Sequence, residues 1–231
     1  MKISKCTRVI NTLFVLQMLV AVPFAGSVFG QVKTEEQPKT PEQTKTTTEV
    51  KVQAAQVNNF VQRFDDKFLI NLALERNDGE TKKMLFLTNS LNYVAYSVPV
   101  ALLVGGIVRH DSEMRQNALY VASSAAINLG ATLLIKTIFK RRRPFVQNLK
   151  IVAVYNAGST SFPSGHTSTS FAVATALSRA YPKWYIIAPS YLWAASVGYS
   201  RMYLGVHYPS DVFGGALLGT TNSLLLWPVI K

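Results

Sequence analysis

Three short motifs in the second half of the chain combine cations, histidines and a small-residue turn at fixed spacings. Their polar members, in chain order, are Lys136, Arg143, Ser164, Gly165, His166, Arg201, His207 and Asp211. Three cations suit the oxygens of a phosphate group, because arginine binds such oxygens in a planar fork and lysine binds them as a point charge. A Ser-Gly turn before an apolar run predicts the start of a helix, where backbone N–H groups bind anions. Together these residue types favour the cleavage of a phosphate ester.

The two histidines of these motifs suit a nucleophile and an acid. His207 and Asp211 are four residues apart, so they share one face of a helical turn. There the carboxylate can hold one ring nitrogen of His207 and leave the other free to attack phosphorus, which gives a phosphohistidine. His166 would protonate the departing oxygen and then activate the water that hydrolyses the intermediate. Each motif alone is also compatible with a helix cap, a turn or a surface ion pair, but three motifs in order favour the catalytic interpretation.

The motifs Lys-x6-Arg-Pro, Pro-Ser-Gly-His and Ser-Arg-x5-His-x3-Asp resemble the signature of the type-2 phosphatidic acid phosphatase and vanadium haloperoxidase superfamily. All signature positions are intact, and the resemblance covers roughly residues 60–231. It implies an all-helical fold, phosphohistidine chemistry, and neither a metal ion nor another cofactor. It implies His207 as the nucleophile, His166 as the general acid and Asp211 as the partner of His207. The phosphate ligands that it implies are Lys136, Arg143, Ser164, Gly165 and Arg201.

The composition is typical of a membrane protein rather than of a soluble basic protein. Of the 231 residues, 48% are hydrophobic and 16% are charged. The net charge of +12 could indicate nucleic acid, but the basic residues lie beside apolar runs, so anionic lipid headgroups are the favoured partner and nucleic acid is not expected. Cys6 is the single cysteine, so a mature chain without its N-terminus has no disulfide and no cysteine-based site.

The first part of the chain divides into three segments of different composition. Residues 1–30 have a basic start and a short apolar stretch, which predicts a secretory signal peptide or, if uncleaved, an anchor helix. Residues 31–58 are polar without an aromatic residue and predict a disordered linker. The phosphatase domain is expected over residues 59–231. Its first segment, residues 60–77, predicts a helix on the membrane surface or an ordinary packing helix.

Five apolar segments follow that are long enough, or nearly so, to cross a bilayer. They cover residues 88–108, 117–138, 166–181, 184–200 and 211–230. The third and fourth are marginal in length. The predicted fold is therefore an all-α polytopic membrane bundle of about five transmembrane helices and one interfacial helix, after the N-terminal signal.

Counting the crossings from an outside N-terminus puts all three motifs on the outer face. The positive-inside rule opposes this orientation, because the basic run 140–143 then lies outside. We attribute that run to function. For a bacterial chain we therefore expect an integral protein of the cell (inner) membrane whose site faces the periplasm.

The sequence thus predicts a membrane phosphatase that acts on a phosphorylated lipid. Candidate substrates, by the family resemblance, are phosphatidate, phosphatidylglycerol phosphate, prenyl diphosphates and the phosphates of lipid A. Arg141 and Arg142 lie inside the first motif and could hold a second phosphate or form a patch for the lipid surface. Three alternatives remain: a phosphotransferase that passes the phosphate to an alcohol, a haloperoxidase that holds vanadate, and a membrane scaffold without activity.

Overall fold

The computed structural model describes residues 60–158 and 160–230, and the regular structure within these ranges is helical apart from one isolated β-bridge between Arg142 and Thr160. The helices are α1 (60–74), α2 (Asp78–Val108), α3 (Ser112–Phe139), α4 (Pro144–Gln147), α5 (Gly165–Ala180), α6 (Trp184–Tyr203) and α7 (Pro209–Ile230). The all-α prediction is confirmed. The predicted signal or anchor and the predicted linker lie outside the described residues.

The chain divides into two compact units, Met1–Lys67 and Phe68–Lys231. In the first unit the described part is the beginning of α1, where the Gln62 side chain donates a hydrogen bond to Asp66. The second unit carries the remaining helices. It also contains all eight of the residues predicted to form the site.

Helices α2 and α3 form an antiparallel hairpin with a defined cap at each start. The Asn77 side chain accepts a hydrogen bond from Glu80 N at 2.9 Å, and the Asp111 side chain accepts one from Met114 N at 3.0 Å. The first apolar segment was expected to begin at residue 88, but α2 begins ten residues earlier, at its cap. Hydropathy marks only the apolar part of a helix, whereas the cap and the charged first turns precede that part.

Large apolar side chains cover the outer surfaces of the bundle. Val104, Ile107 and Val108 on α2 and Leu119 and Leu133 on α3 are all more than 40% exposed. Within the described residues, α2, α3 and the α7 segment Pro209–Val229 are long and apolar enough to cross a membrane. Apolar surface of this extent is stable only against lipid or another apolar partner.

Helix α5 lies at the centre of the unit, packed against α3, α6 and α7. Its 16 residues include ten buried ones, and nine of those ten are Ala, Ser or Thr. Gly215 and Gly219 of α7 bring the two backbones close: a Cβ on Gly219 would lie 2.0 Å from Ser168 O. Small residues allow such contacts between membrane helices. They also explain why the 166–181 segment is only weakly hydrophobic, since its surroundings are protein rather than lipid.

Polar side chains connect the helices inside the bundle. Asn128 of α3 donates to Ser168 Oγ at 3.1 Å, and Thr132 Oγ1 lies 2.9 Å from the same oxygen. The hydroxyl of Tyr120 donates to Ser223 O of α7 at 2.7 Å. Such bonds fix the rotation of each helix and therefore the direction in which its motif-bearing end points.

Candidate active site

The three motifs meet at one end of the bundle. This end combines the C-terminal ends of α3 and α6 with the N-terminal ends of α5 and α7. Lys136 Nζ donates to Thr160 O at 3.0 Å, Ser164 N donates to Asp211 O at 3.0 Å, and Arg143 Nη1 donates to Val206 O at 2.7 Å. Neighbouring helices in the chain therefore run in opposite directions, as convergence of the motifs requires.

His207 and Asp211 form a buried pair. His207 Nδ1 lies 3.5 Å from Asp211 Oδ2, and the two side chains are 2% and 0% exposed. The same carboxylate oxygen accepts a hydrogen bond from Tyr208 N at 2.9 Å and another from the Ser161 hydroxyl. Asp211 lies in the first turn of α7, so it can reach back to the loop residue four positions earlier.

The other nitrogen of the His207 ring faces Arg143. Arg143 Nη1 lies 3.2 Å from His207 Nε2. A guanidinium has only donors, so Nε2 is assigned as the acceptor and Nδ1 as the protonated nitrogen that faces Asp211. Burial, together with the charge of Arg201, lowers the pKa of His207 to about 3 against the opposing effect of Asp211. The imidazole is therefore neutral near pH 7, with its lone pair on Nε2.

Three cations lie at this end of the bundle, each in a different environment. Lys136 is half-buried, whereas Arg143 and Arg201 are 7% and 2% exposed. Burial and the neighbouring Arg201 lower the pKa of Arg143. Arg201 Nη1 donates to Thr88 Oγ1 at 2.6 Å and to the Tyr155 hydroxyl, while its Nε is buried without a hydrogen-bond partner. An orphaned donor of this kind suits a phosphate oxygen.

The start of α5 presents Ser164, Gly165 and His166. Ser164 is the N-cap, and its buried hydroxyl oxygen accepts hydrogen bonds from Thr167 N at 3.5 Å and Thr167 Oγ1 at 2.9 Å. The predicted helix start is thus confirmed, and the serine oxygen is used as a cap. The peptide bond between Phe162 and Pro163, just before this cap, is cis. The His166 ring is half-buried and makes no hydrogen bond with the described part of the chain.

His166 also lines a cavity of about 680 Å³ between α2 and α3. Gly165 and Thr169 line the same cavity, so it is continuous with the start of α5. Most of its wall is apolar and comes from α2 and α3, for example Leu91, Val100, Leu103, Leu119 and Leu129. The arrangement joins a polar reaction centre to an apolar space of the size of a small-molecule site.

Sequence reasoning missed several residues that complete the site. Arg141 Nη1 donates to Asp211 Oδ1 and to Ser210 Oγ, each at 2.7 Å. The second-phosphate and surface-patch interpretations of Arg141 are therefore both replaced by a buried ion pair. Ser161 and Tyr155 come from the loop between α4 and α5, where no periodic pattern marks them. Arg141 lies within a recognised motif, yet its spacing alone does not identify its partner.

Within residues 60–158 and 160–230, no group of three or more His, Cys, Asp or Glu side chains is placed to hold a metal ion. The positive charge around His207 comes instead from lysine and arginine side chains. Whether the activity is independent of metal stays a prediction.

Comparison with known proteins gives consistent matches. A family model described as the PAP2 superfamily matches residues 117–231. YbjG of Escherichia coli (strain K12) is 30% identical over 162 residues, covering 69% of this chain and 79% of YbjG. Undecaprenyl-diphosphatase BcrC of Bacillus subtilis (strain 168) is 29% identical over 144 residues, covering 62% of this chain and 72% of BcrC. The crystal structure of a transmembrane PAP2-type phosphatidylglycerolphosphate phosphatase from Bacillus subtilis has a TM-score of 0.64 at 23% identity, covering 80% of this chain and 94% of that chain.

Proposed function

Because this chain belongs to the PAP2 superfamily, it is a membrane-embedded phosphatase of lipid phosphate esters, and we propose that the residues around His207 form its active site. The observation that carries this proposal is the arrangement at the His207 ring. Asp211 faces Nδ1, and Nε2 is left with a lone pair beside Arg143. A neutral imidazole held in this way is an activated nucleophile.

The first chemical step is attack by His207 Nε2 on phosphorus. Arg143, Arg201 and Lys136 bind the phosphate oxygens, and Arg143 turns from Nε2 to the incoming phosphate. Backbone N–H groups at the start of α5 add further donors. The bond between phosphorus and the lipid oxygen breaks as the bond to Nε2 forms, and His166 donates a proton to the departing oxygen. The products are a dephosphorylated lipid and a phosphohistidine.

The second step returns the enzyme to its first state. His166, now unprotonated, takes a proton from a water molecule, and the resulting oxygen attacks the phosphohistidine. The bond between Nε2 and phosphorus breaks, and inorganic phosphate leaves. His166 regains its proton in this step, so one enzyme turns over without a change in its own protonation.

The cavity between α2 and α3 supports a substrate with a hydrocarbon tail. It begins at His166 and continues along apolar side chains, several of which are also exposed on the bundle surface. A tail can therefore leave the reaction centre sideways into the bilayer, while the phosphate stays with the cations. A phosphorylated alcohol or sugar without a tail would gain no binding free energy from these apolar side chains.

We propose five crossings, with α5 and α6 spanning together with α2, α3 and α7, and a site on the outer face of the cell membrane. The outer face follows from counting these crossings from an outside N-terminus, and two observations support the crossings themselves. The motif-bearing helix ends lie at one end of the bundle. Helix α5 is screened from lipid by its neighbours, so its low hydropathy is compatible with a crossing.

The finer substrate that we propose is a prenyl diphosphate, in line with the similarity of this chain to undecaprenyl-diphosphatase BcrC. The test is phosphate release by the purified protein in EDTA. The panel comprises undecaprenyl diphosphate, phosphatidate, phosphatidylglycerol phosphate and lipid A, with His207→Ala as the inactive control. We expect the diphosphate to have the highest kcat/KM. A higher value for another lipid would overturn the substrate assignment, and no release from any of them would overturn the site. Phosphate transfer to added glycerol would instead indicate the phosphotransferase.

A matched pair of variants tests the tail path. Ala126 lines the cavity and Ile127 does not, although both are exposed on α3. Ala126→Trp should lower kcat/KM for the lipid without affecting para-nitrophenyl phosphate, which has no tail. Ile127→Trp should affect neither substrate. Equal loss on both substrates would contradict the path between α2 and α3.

A further inference from the structure

Arg141 is held in place on three sides at the base of the site. Its Nη1 donates to Asp211 Oδ1 at 2.7 Å, and its guanidinium carbon lies 4.1 Å from the centre of the Tyr208 ring. Its carbonyl oxygen accepts a hydrogen bond from Ser161 N at 2.8 Å. The side chain of Arg141 is 11% exposed and that of Asp211 is 0% exposed. The pair is therefore a buried ion pair with fixed geometry.

The bonds to Asp211 are divided between its two oxygens. Oδ1 faces Arg141, whereas Oδ2 faces the His207 ring, Tyr208 N and the Ser161 hydroxyl. Rotation about the Cβ–Cγ bond would tilt the carboxylate and move both oxygens away from their partners. The cation at Oδ1 opposes that rotation and also balances the buried charge. Oδ2 consequently stays directed at Nδ1 of His207.

We infer that Arg141 is a positioning residue that acts on catalysis through Asp211. The inference rests on the proposed role of His207 and adds a third residue to the His207–Asp211 pair: Arg141 holds Asp211, Asp211 holds Nδ1 of His207, and Nε2 attacks. The position of Arg141 inside the first motif thus serves the nucleophile rather than the phosphate. Lys136 and Arg143, five residues before it and two after it, serve the phosphate.

This role predicts a fall in kcat rather than a rise in KM. Without Arg141 the carboxylate loses its fixed orientation, so fewer enzyme molecules hold Nε2 in line with phosphorus. Loss of the orienting carboxylate itself costs about 10⁴-fold in a Ser-His-Asp triad, so loss of its support should cost less, on the order of 10²-fold. Lysine keeps the charge but not the planar fork or the stacking on Tyr208, so it should restore part of the loss.

The experiment compares Arg141→Gln and Arg141→Lys with Lys150→Gln, a loss of one positive charge at an exposed residue of the loop between α4 and α5. Steady-state kinetics are measured with dioctanoyl phosphatidate and with farnesyl diphosphate. Arg141→Gln should lower kcat on the order of 10²-fold on both substrates, with KM changed less than about threefold. Arg141→Lys should recover about tenfold, and Lys150→Gln should match the wild type.

A double-mutant cycle with Asp211→Asn isolates the route of the effect. If Arg141 acts through Asp211, adding Arg141→Gln to Asp211→Asn changes kcat by less than about threefold. The double variant, with Arg141→Gln and Asp211→Asn together, leaves no buried charge without a partner. If Arg141→Gln alone fails to fold, the double variant and Arg141→Lys provide the test. A KM rise confined to farnesyl diphosphate, or a full Arg141→Gln effect that persists in the Asp211→Asn background, would overturn the inference. Inactive wild-type protein would instead refute the proposed function.

Discussion

The close contact between α5 and α7 gives a quantitative prediction for Gly219→Ala. A Cβ at this position would lie 2.0 Å from Ser168 O, and real Cβ atoms essentially never come closer than 3.0 Å to such an atom. The difference, 3.0 minus 2.0, requires the helices to separate by at least about 1 Å, because the obstructing atom belongs to the backbone. No side-chain rotation can relieve this contact.

The separation should lower both stability and turnover. Overpacking of this kind costs about 1–3 kcal/mol, and each kcal/mol shifts the Tm of a chain of this size by about 2–4 °C. We therefore expect a Tm lower by roughly 2–12 °C. Ser168 lies one turn below Ser164, so the start of α5 moves with it. A displacement of about 1 Å can cost on the order of 10²-fold in kcat.

The assay compares Gly219→Ala with Gly130→Ala, because a Cβ at Gly130 would meet nothing within 4 Å. Both changes add one methyl group to a helix. Tm is measured in detergent by tryptophan fluorescence, and kcat by phosphate release. Gly130→Ala should retain wild-type values. A Tm within about 1 °C of the Gly130→Ala protein, with similar kcat, would refute the argument that the two backbones define the site.

Four further predictions concern the nucleophile, metal independence, the membrane orientation and pH. His207→Ala should abolish both turnover and the acid-labile label that ³²P-labelled substrate leaves on the protein, and label retained by the variant would assign the nucleophile elsewhere. Wild type should keep full activity in EDTA. Activity lost in EDTA but restored by a divalent ion would refute metal independence. In a Cys6→Ser background, Leu149→Cys should react with an impermeant maleimide on intact cells and Ser112→Cys only after permeabilisation; the reverse pattern would place the site inside. Because the folded-state pKa of His207, about 3, lies below the unfolded value, its contribution to stability is complete above about pH 6.5 and is lost as pH falls. Relative to His207→Gln, wild type should lose roughly 1.4 kcal/mol per pH unit below that value, and a pH-independent difference between the two would contradict the neutral ring.

The helices of the bundle could be predicted well from apolar runs and end signals. The segments predicted at 166–181, 184–200 and 211–230 correspond to α5, α6 and α7, with ends that differ by at most three residues. The start of α2 was missed, although Asn77 and Glu80 form the spacing of a capping pair. This capping pair lies in a charged segment, so a search for apolar runs does not detect it.

The candidate site was predictable only where a motif fixed the residue types. The pairing of His207 with Asp211 follows from a spacing of four, so local structure alone suffices. The partners Arg141 and Ser161 come from segments that are 70 and 50 residues distant from Asp211. Their approach depends on how the loop between α4 and α5 folds over the helix ends, which no local periodicity encodes.

The weak hydropathy of α5 and the convergence of the motifs have one physical cause. A central helix that carries catalytic residues at its N-terminus must have neighbours close on every side, and only Ala, Ser, Thr and facing glycines permit this distance. The resulting contact lets Ser164 N donate a hydrogen bond to Asp211 O, so the Ser164–Gly165 turn and the His207–Asp211 pair are held together. Larger apolar residues on α5 would raise its hydropathy and force the two catalytic ends apart. The low hydropathy of α5 is therefore a consequence of the close packing that brings the motifs together.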